Sequence, residues 1–426
     1  GGGQRVGQFQ PITELYTVPN SVIFNDDDSA YLYRTPSSAS NRRTWTLSYW
    51  IKRANLGGFM NTFDARLDGG NYAKFQFHSG DYLQFLAETG GGGAYNLATT
   101  RLFRDPSAWY HIVLAVDTTQ STAADRVKIY VNGTQETSFI SGSYPAQNYD
   151  TFVNTTNGHA LAGNFGGAAF LDGYMAEINF VDGQQLDPSS FGEVNSDTGQ
   201  WIAKKYSGSY GTNGFYITGE DSADLGADYS GNGNDFTSSG LTSADQMSDS
   251  PTNNWCVLNP LSGTMTLSEG NLKAVGASGF PLVQGTFAIP KSGGKWYWEF
   301  TLGSVTSVFD GISNQGNSKR AVVMPSTGSI AVDGVTTQTG LATGSASDVI
   351  GVALNQDDGT IQFYKNNSAY GSAESYTTPQ SQYFFIHAAD LSSGASSDRT
   401  YNFGQSAFAY TPPTGFKALN TANLLD

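Results

Sequence analysis

The chain has a single cysteine, Cys256, among 426 residues, so no disulfide can form within it. Secreted animal proteins of this size usually carry more, and the sequence reads as bacterial or viral. Only 22 Lys and Arg stand against 37 Asp and Glu, a net charge of −15, and the basic residues are scattered. Without a basic stripe the chain offers no footprint for nucleic acid, and its acidity disfavours adsorption to anionic membranes. Long apolar runs are missing too. Ile112 to Val116 is among the longest, far short of the roughly 20 residues a spanning helix needs. The start, "GGGQRVGQF", has no charged-then-apolar pattern and no Met, and is expected to be a trimmed or processed end rather than a signal peptide.

Histidine is scarce as well. His78, His111, His159 and His387 are far apart, with no HExxH, paired CxxC or GxSxG arrangement anywhere. Zinc chemistry and a nucleophile triad therefore lack their residues. His111 and His387 sit in strand patterns and are expected to be structural. Cys256 lies in an apolar run and is expected to fill core. "TGGGGAY" has no Lys-Ser/Thr after it and is no phosphate loop.

What is present is aromatic and uncharged: 13% Phe, Trp and Tyr, only 14% charged residues and 51 Gly. That mixture suits many short strands and turns. "RTWTLSYWIKR" alternates Trp45, Leu47, Tyr49 and Ile51 against Thr46, Ser48 and Trp50, and "WYHIVLAVD" places Tyr110, Ile112, Leu114 and Val116 on one face. "DRVKIYVNGTQ" alternates Val127, Ile129 and Val131 and then turns at Asn132-Gly133, a strong hairpin signal. In "DVIGVALNQDDGTIQFYKNN" both faces of the first strand are apolar, which predicts cover on both sides, and Asp358-Gly359 supplies the turn. Only "DPSSFGEV" looks helical, with Asp187 placed to cap it ahead of Pro188. The fold class expected is all-β, two antiparallel β-sandwich (jelly-roll) domains in tandem.

"WTLSYWIKR", "WYHIVLAVD…VKIYVNGTQ" and "LAGNFGGAAFLDGYMAEINFVDGQQL" together resemble the laminin-G, concanavalin A-like family from about Ser21 to Gly219. The resemblance implies a jelly roll of two curved sheets that binds glycan or protein, with glycosidases a minority of its wider relatives. "DYSGNGNDFTSSG" resembles that family's calcium-loop segment. Here it follows the sandwich, so a circular rearrangement is expected, with "GFYITGEDSADLGADYSGNGNDFT" completing the first sheet. "GKWYWEF", the Asp348–Asn367 hairpin and "YNFGQ" resemble the SPRY family over about Trp255 to Phe416, which implies a second, non-enzymatic binding sandwich. The pairing, closed by "AYTPPTGFKALNTANL", is similar to virion appendage proteins (tail spikes or fibres) of tailed phages.

These readings divide the chain into an attachment arm (1–20), a laminin-G-like sandwich (21–240), a linker (241–254), a SPRY-like sandwich (255–420) and a tail (421–426). The expected function is non-catalytic binding of a host-surface glycan or receptor from a virion. The partners expected are other virion proteins and two further copies in a homotrimer, without nucleic acid or membrane insertion. A capsid-decorating or tail structural protein is the alternative, and a polysaccharide depolymerase is a second. Glycoside hydrolysis needs two carboxyl groups roughly 5–9 Å apart. The candidate strand offers Glu177 alone and "KWYWEF" Glu299 alone.

Glycan reading wants aromatic faces for sugar C–H groups and polar side chains for hydroxyls. Asp64, Asp68, Tyr72, Tyr95, Asn96, Tyr144, Asn148 and Asn164 fall in stretches with that mixture, all read as loops. For a calcium ion, the one cofactor weighed, Asp228, Asn232 and Asn234 would supply oxygens, although the family's further Asp is replaced by Ala176. Asp26-Asp27-Asp28 is expected to be a solvated hairpin turn rather than a second such site.

Overall fold

The computed structural model describes residues 15–276, 280–289, 293–376, 384–390 and 397–424. They form two antiparallel β-sandwiches in tandem. In the first, eight strands make a sheet in the order Thr134–Gln135, Val127–Val131, Tyr110–Asp117, Thr44–Arg53, Gly173–Asp182, Ser21–Phe24, Gln246–Met247, with Phe215–Ile217 also on Gly173–Asp182. The second sheet runs Phe139–Ser143, Gly92–Leu102, Tyr82–Thr89, Asn71–Phe77, Met60–Asp68, Gly158–Leu161, Tyr31–Arg34, Thr237–Ser239.

Period-two alternation decides what lies between them. Leu47, Leu114 and Ile129 of the first sheet meet Phe75, Phe85 and Leu97 of the second in one core. Trp45 is fully buried there, edge-on to Phe85 at 5.9 Å. Truncating such an aromatic costs about 3–5 kcal/mol. The Asn132-Gly133 turn forms as expected, both residues at positive φ. Asp187 caps the short 3₁₀ turn Pro188–Ser190, accepting from the Ser189 amide at 2.9 Å.

The expected rearrangement is divided between the sheets. Phe215–Ile217 joins the first sheet end to end with Ser21–Phe24 along one edge of Gly173–Asp182, whereas Thr237–Ser239 pairs with Tyr31–Arg34 in the second.

The second sandwich packs Ile312 and Ile386 of one sheet against Phe300, Val352 and Ile361 of the other. In the Asp348–Asn367 hairpin, Ile350, Val352 and Leu354 enter the core and Ala353 on the reverse face is also buried. Its loop spans Gln356 to Gly359, because Asn355 pairs with Thr360, and Gly359 alone supplies the positive φ. Cys256 is a buried core residue, its thiol pushed up to about 11 by burial.

The stretch read as a linker is integrated instead. Gln246–Met247 extends the first sheet, Asp249 is fully buried, and Ile23 and Tyr174 of the first sandwich belong to the second core. Of the amino-terminal arm, residues 1–14 lie outside the described residues, while Val18 is buried. No helix among the described residues is long and apolar enough to cross a membrane.

Candidate functional site

The outer face of the first module's second sheet carries polar side chains on several aligned strands. One row across it reads Tyr33, Ala160, Asp64, Lys74, Leu86, Asn96, each residue opposite the next. Neighbouring strands lie about 5 Å apart, so these side chains pack side by side, with Tyr33, Lys74, Leu86 and Asn96 partly exposed and Ala160 and Asp64 fully buried among them. The flanking rows are Asn61, Gln76, Gln84 and Ala98 on one side and Arg66, Tyr72 and Glu88 on the other.

The amides form a directed chain. Gln76 Nε2 donates to Gln84 Oε1 at 2.7 Å, and Gln84 Nε2 donates to Asn96 Oδ1 at 2.9 Å. Two acceptors at its base, Asn61 Oδ1 and Gln76 Oε1, are buried with no partner among the described residues. Burying such a group without a donor costs about 1–3 kcal/mol, so each calls for an explanation.

Charge is fixed beside the chain. Arg66 grips Asp64 through two 2.6 Å bonds, and the Phe165 amide donates to the same carboxylate at 3.0 Å. Burial nonetheless raises the Asp64 pKa and lowers that of Lys74. Tyr72 lies between two cations, Lys74 Nζ at 5.2 Å and Arg66 Cζ at 5.4 Å from its ring. Burial and its hydrogen bond to Glu88 push its hydroxyl up.

Half-exposed rings border the row: Tyr31 stacks on Tyr33 at 5.4 Å, and Phe165 meets Tyr33 edge-on at 6.1 Å. Phe165 lies over Gly158, where a Cβ would stand 2.2 Å from the ring, so glycine leaves the space it occupies.

Of the residues marked from sequence, Asp64, Tyr72 and Asn96 share this face, and Asn164 turns the loop that carries Phe165. The others are elsewhere. Asp68 caps the hairpin turn, accepting from the Gly70 amide at 2.8 Å. Tyr95 points the other way, into the core, and Tyr144 packs against that core from its edge. Asn148 is exposed in a turn, its amide donating to Thr118 O at 2.8 Å. Much of the sequence read as loop is strand, since Asp64, Tyr72 and Asn96 lie within Met60–Asp68, Asn71–Phe77 and Gly92–Leu102. Lys74, Gln76 and Gln84 were missed, although alternation with Ala73, Phe75 and Phe85 marks them as facing outward.

The Asp228 loop is held by its own hydrogen bonds. The Asp228 carboxylate takes four donors at 2.8 Å, from the amides of Tyr216, Ser230 and Asn234 and the Ser230 hydroxyl. Asn232 Nδ2 donates to the carbonyls of Gly211 and Gly214. Arg34 Nη2 donates to Asn234 Oδ1 at 2.6 Å, so that oxygen is already engaged. No group of three or more His, Cys, Asp or Glu among the described residues could hold a metal.

His111, His387 and Glu299 are each buried. His111 is buried and pushed down to about 3 by desolvation. Its Nδ1 accepts from Trp201 Nε1, so Nε2 carries the proton and donates to Ser48 Oγ at 2.9 Å. His387 is buried beside Ser313 and likewise pushed down to about 3. Glu299 accepts from Tyr297 and the amides of Ala409 and Tyr410.

Residues 26–188 match a laminin-G family model described as the concanavalin A-like lectin/glucanases superfamily. Among solved structures, the SPRY domain of human HERC1 is similar over 35% of this chain and 99% of its own, at 16% identity and a TM-score of 0.30. Domains LG4-5 of the mouse laminin α1 chain align over 96% of this chain and 92% of that one, at 12% identity and a TM-score of 0.32. Domain 4 of AbnA, a GH43 extracellular arabinanase from Geobacillus stearothermophilus in complex with arabinotriose, aligns over 42% and 81%, at 18% identity and a TM-score of 0.31. No curated protein matches the chain. The first module thus has a lectin/glucanase-like sandwich compatible with carbohydrate binding.

Proposed function

We propose that the protein binds carbohydrate, without cleaving it, on the outer face of the first module's second sheet. The observation that carries this reading is the row on which Tyr33, Lys74 and Asn96 are partly exposed, Asn96 ending the Gln76–Gln84 amide chain. Sugar hydroxyls donate and accept at once, which suits the Lys74 ammonium and the Asn96 amide, the partly exposed polar groups of this row. The half-exposed rings of Tyr33 and Phe165 offer apolar faces to sugar C–H groups. Within this reading the protein is a phage virion appendage, a tail spike or fibre that grips a host-surface glycan, repeated in a trimer so that weak contacts add up. That placement is supported by the order of the two modules and the closing phrase alone.

The test is a microarray of bacterial envelope polysaccharides probed with the full chain, with reducing ends assayed on every positive. Binding without new reducing ends is the expected result. Reducing-end release would replace the reading with a depolymerase. Silence on the array together with assembly onto particles would replace it with a structural virion protein.

A further inference from the structure

The first module's other sheet carries a cleft that the glycan reading does not use. It encloses about 310 Å³ between the entering segment at Tyr16–Asn20, Glu177 in the sheet, and Lys205, Glu220 and Tyr229 from later loops. Glu177 is 5% exposed and sits at φ 51°, in the left-handed region that a side chain rarely adopts. The cause is a bulge: pairing with Thr44–Arg53 shifts register between Ala176 and Asn179, and Asn179 Nδ2 donates to Glu177 O at 2.9 Å. Strain of this kind costs of order 1–3 kcal/mol and persists only where the surroundings fix it.

The carboxylate is used on one side. Oε1 accepts from Tyr216 Oη at 2.7 Å and Tyr16 Oη at 3.0 Å, whereas Oε2 makes no hydrogen bond among the described residues. Burial raises the Glu177 pKa. Glu220 adds a second acceptor to the same wall, and the Tyr229 ring stands 40% exposed at the rim. An occupant that donates to Glu177, and to the exposed Glu220, and lays an apolar face on the Tyr229 ring fits these groups. An organic cation would do so, but Lys205 already brings a positive charge to this wall. A neutral sugar supplies hydroxyl donors to Glu177 and Glu220, acceptors for Lys205 and Asn20, and a C–H face for Tyr229. The volume lies near the lower end of the usual range for ligand pockets, about 300–1,000 Å³, which suits one sugar unit rather than a chain.

We propose that the cleft formed by Glu177, Glu220, Lys205 and Tyr229 is a second carbohydrate site, separate from the sheet face, that takes a single neutral sugar unit.

Saturation-transfer NMR on the full chain, with the methyl glycosides of glucose, galactose, mannose and N-acetylglucosamine and with tetramethylammonium, tests this. At least one glycoside is expected to receive saturation, and its affinity to fall about tenfold or more in both Glu177→Gln and Tyr229→Ala, as loss of a hydrogen bond to a charged group implies. Tyr229→Ala removes an exposed ring, so its effect is separate from any misfolding of the buried variant. Transfer to none of the glycosides, or to tetramethylammonium alone, overturns the proposal. A glycoside signal that falls with Lys74→Ala and survives Glu177→Gln belongs to the sheet face, and overturns the proposal while leaving the reading above intact.

Discussion

The ammonium of Lys52, in the first sandwich, lies 2.8 Å from the carboxylate of Asp249, in the segment that leads to the second, and neither side chain reaches solvent. Lys52 also donates to Asn254 Oδ1 and Trp255 O, and Trp109 Nε1 donates to Asp249 Oδ1 at 2.9 Å. Nearby, Tyr174 Oη donates to Gly270 O and Asn271 Nδ2 to Ala54 O. The two modules are thereby joined by a buried, hydrogen-bonded seam rather than a free tether.

Lys52→Met leaves the Asp249 charge buried and unpaired. Urea denaturation is expected to show a loss of about 3–5 kcal/mol, most of it recovered when Asp249→Leu is added. A single-variant loss under about 1 kcal/mol would mean that the seam is solvated.

Asp172 sets a pH dependence at the same seam. It is fully buried, with Oδ1 accepting from the Gly270 amide and Oδ2 unpaired among the described residues. Burial, reinforced by Asp26, pushes it up to about 8. The folded protein then keeps a proton that the unfolded chain gives up near its ordinary value of 3.8. Its contribution is whole below that value, declines as pH rises, and is gone above about 8. Asp172→Asn should flatten this slope, with a gain over wild type on the order of several kcal/mol at pH 8 and little at pH 4, measured by urea unfolding at each pH.

Calcium is expected to leave the melting temperature unchanged, as is its removal by a chelator. Asp228 already accepts four hydrogen bonds, and Arg34 holds Asn234. Scanning calorimetry with and without millimolar calcium checks this, and a clear upward shift would point to a site outside that loop.

On the sheet face, Lys74→Ala and Asn96→Ala are each expected to weaken binding to an array-positive polysaccharide about tenfold, with the second also stranding the Gln84 amide. Titration calorimetry reads the change. Full affinity in both variants would move the glycan site off this face.

Much of the fold was legible because strand signals are local. Trp45, Leu47, Tyr49 and Ile51 face one way since successive side chains must alternate, and Asn132-Gly133 turns since both positions tolerate positive φ. The glycan face was half legible. The same rule that puts Lys74, Gln76 and Gln84 outward puts Tyr95 inward, but the flanking stretches 63–72 and 90–96, rich in Gly, Tyr and Asn, read as loops. Glu177 appeared in sequence as a lone carboxylate, and nothing local reveals that the chain brings Tyr16, Tyr216 and Glu220 to it.

The sequence alone determined that this is a protein of paired sheets, because a repeat of two is written in each strand independently of the rest. Tertiary structure decided which polar residues meet. Tyr16 lies 161 residues from Glu177, and Lys52 197 from Asp249. Such neighbours are chosen by how the sheets stack and close, a free-energy balance over the whole chain that no single stretch contains.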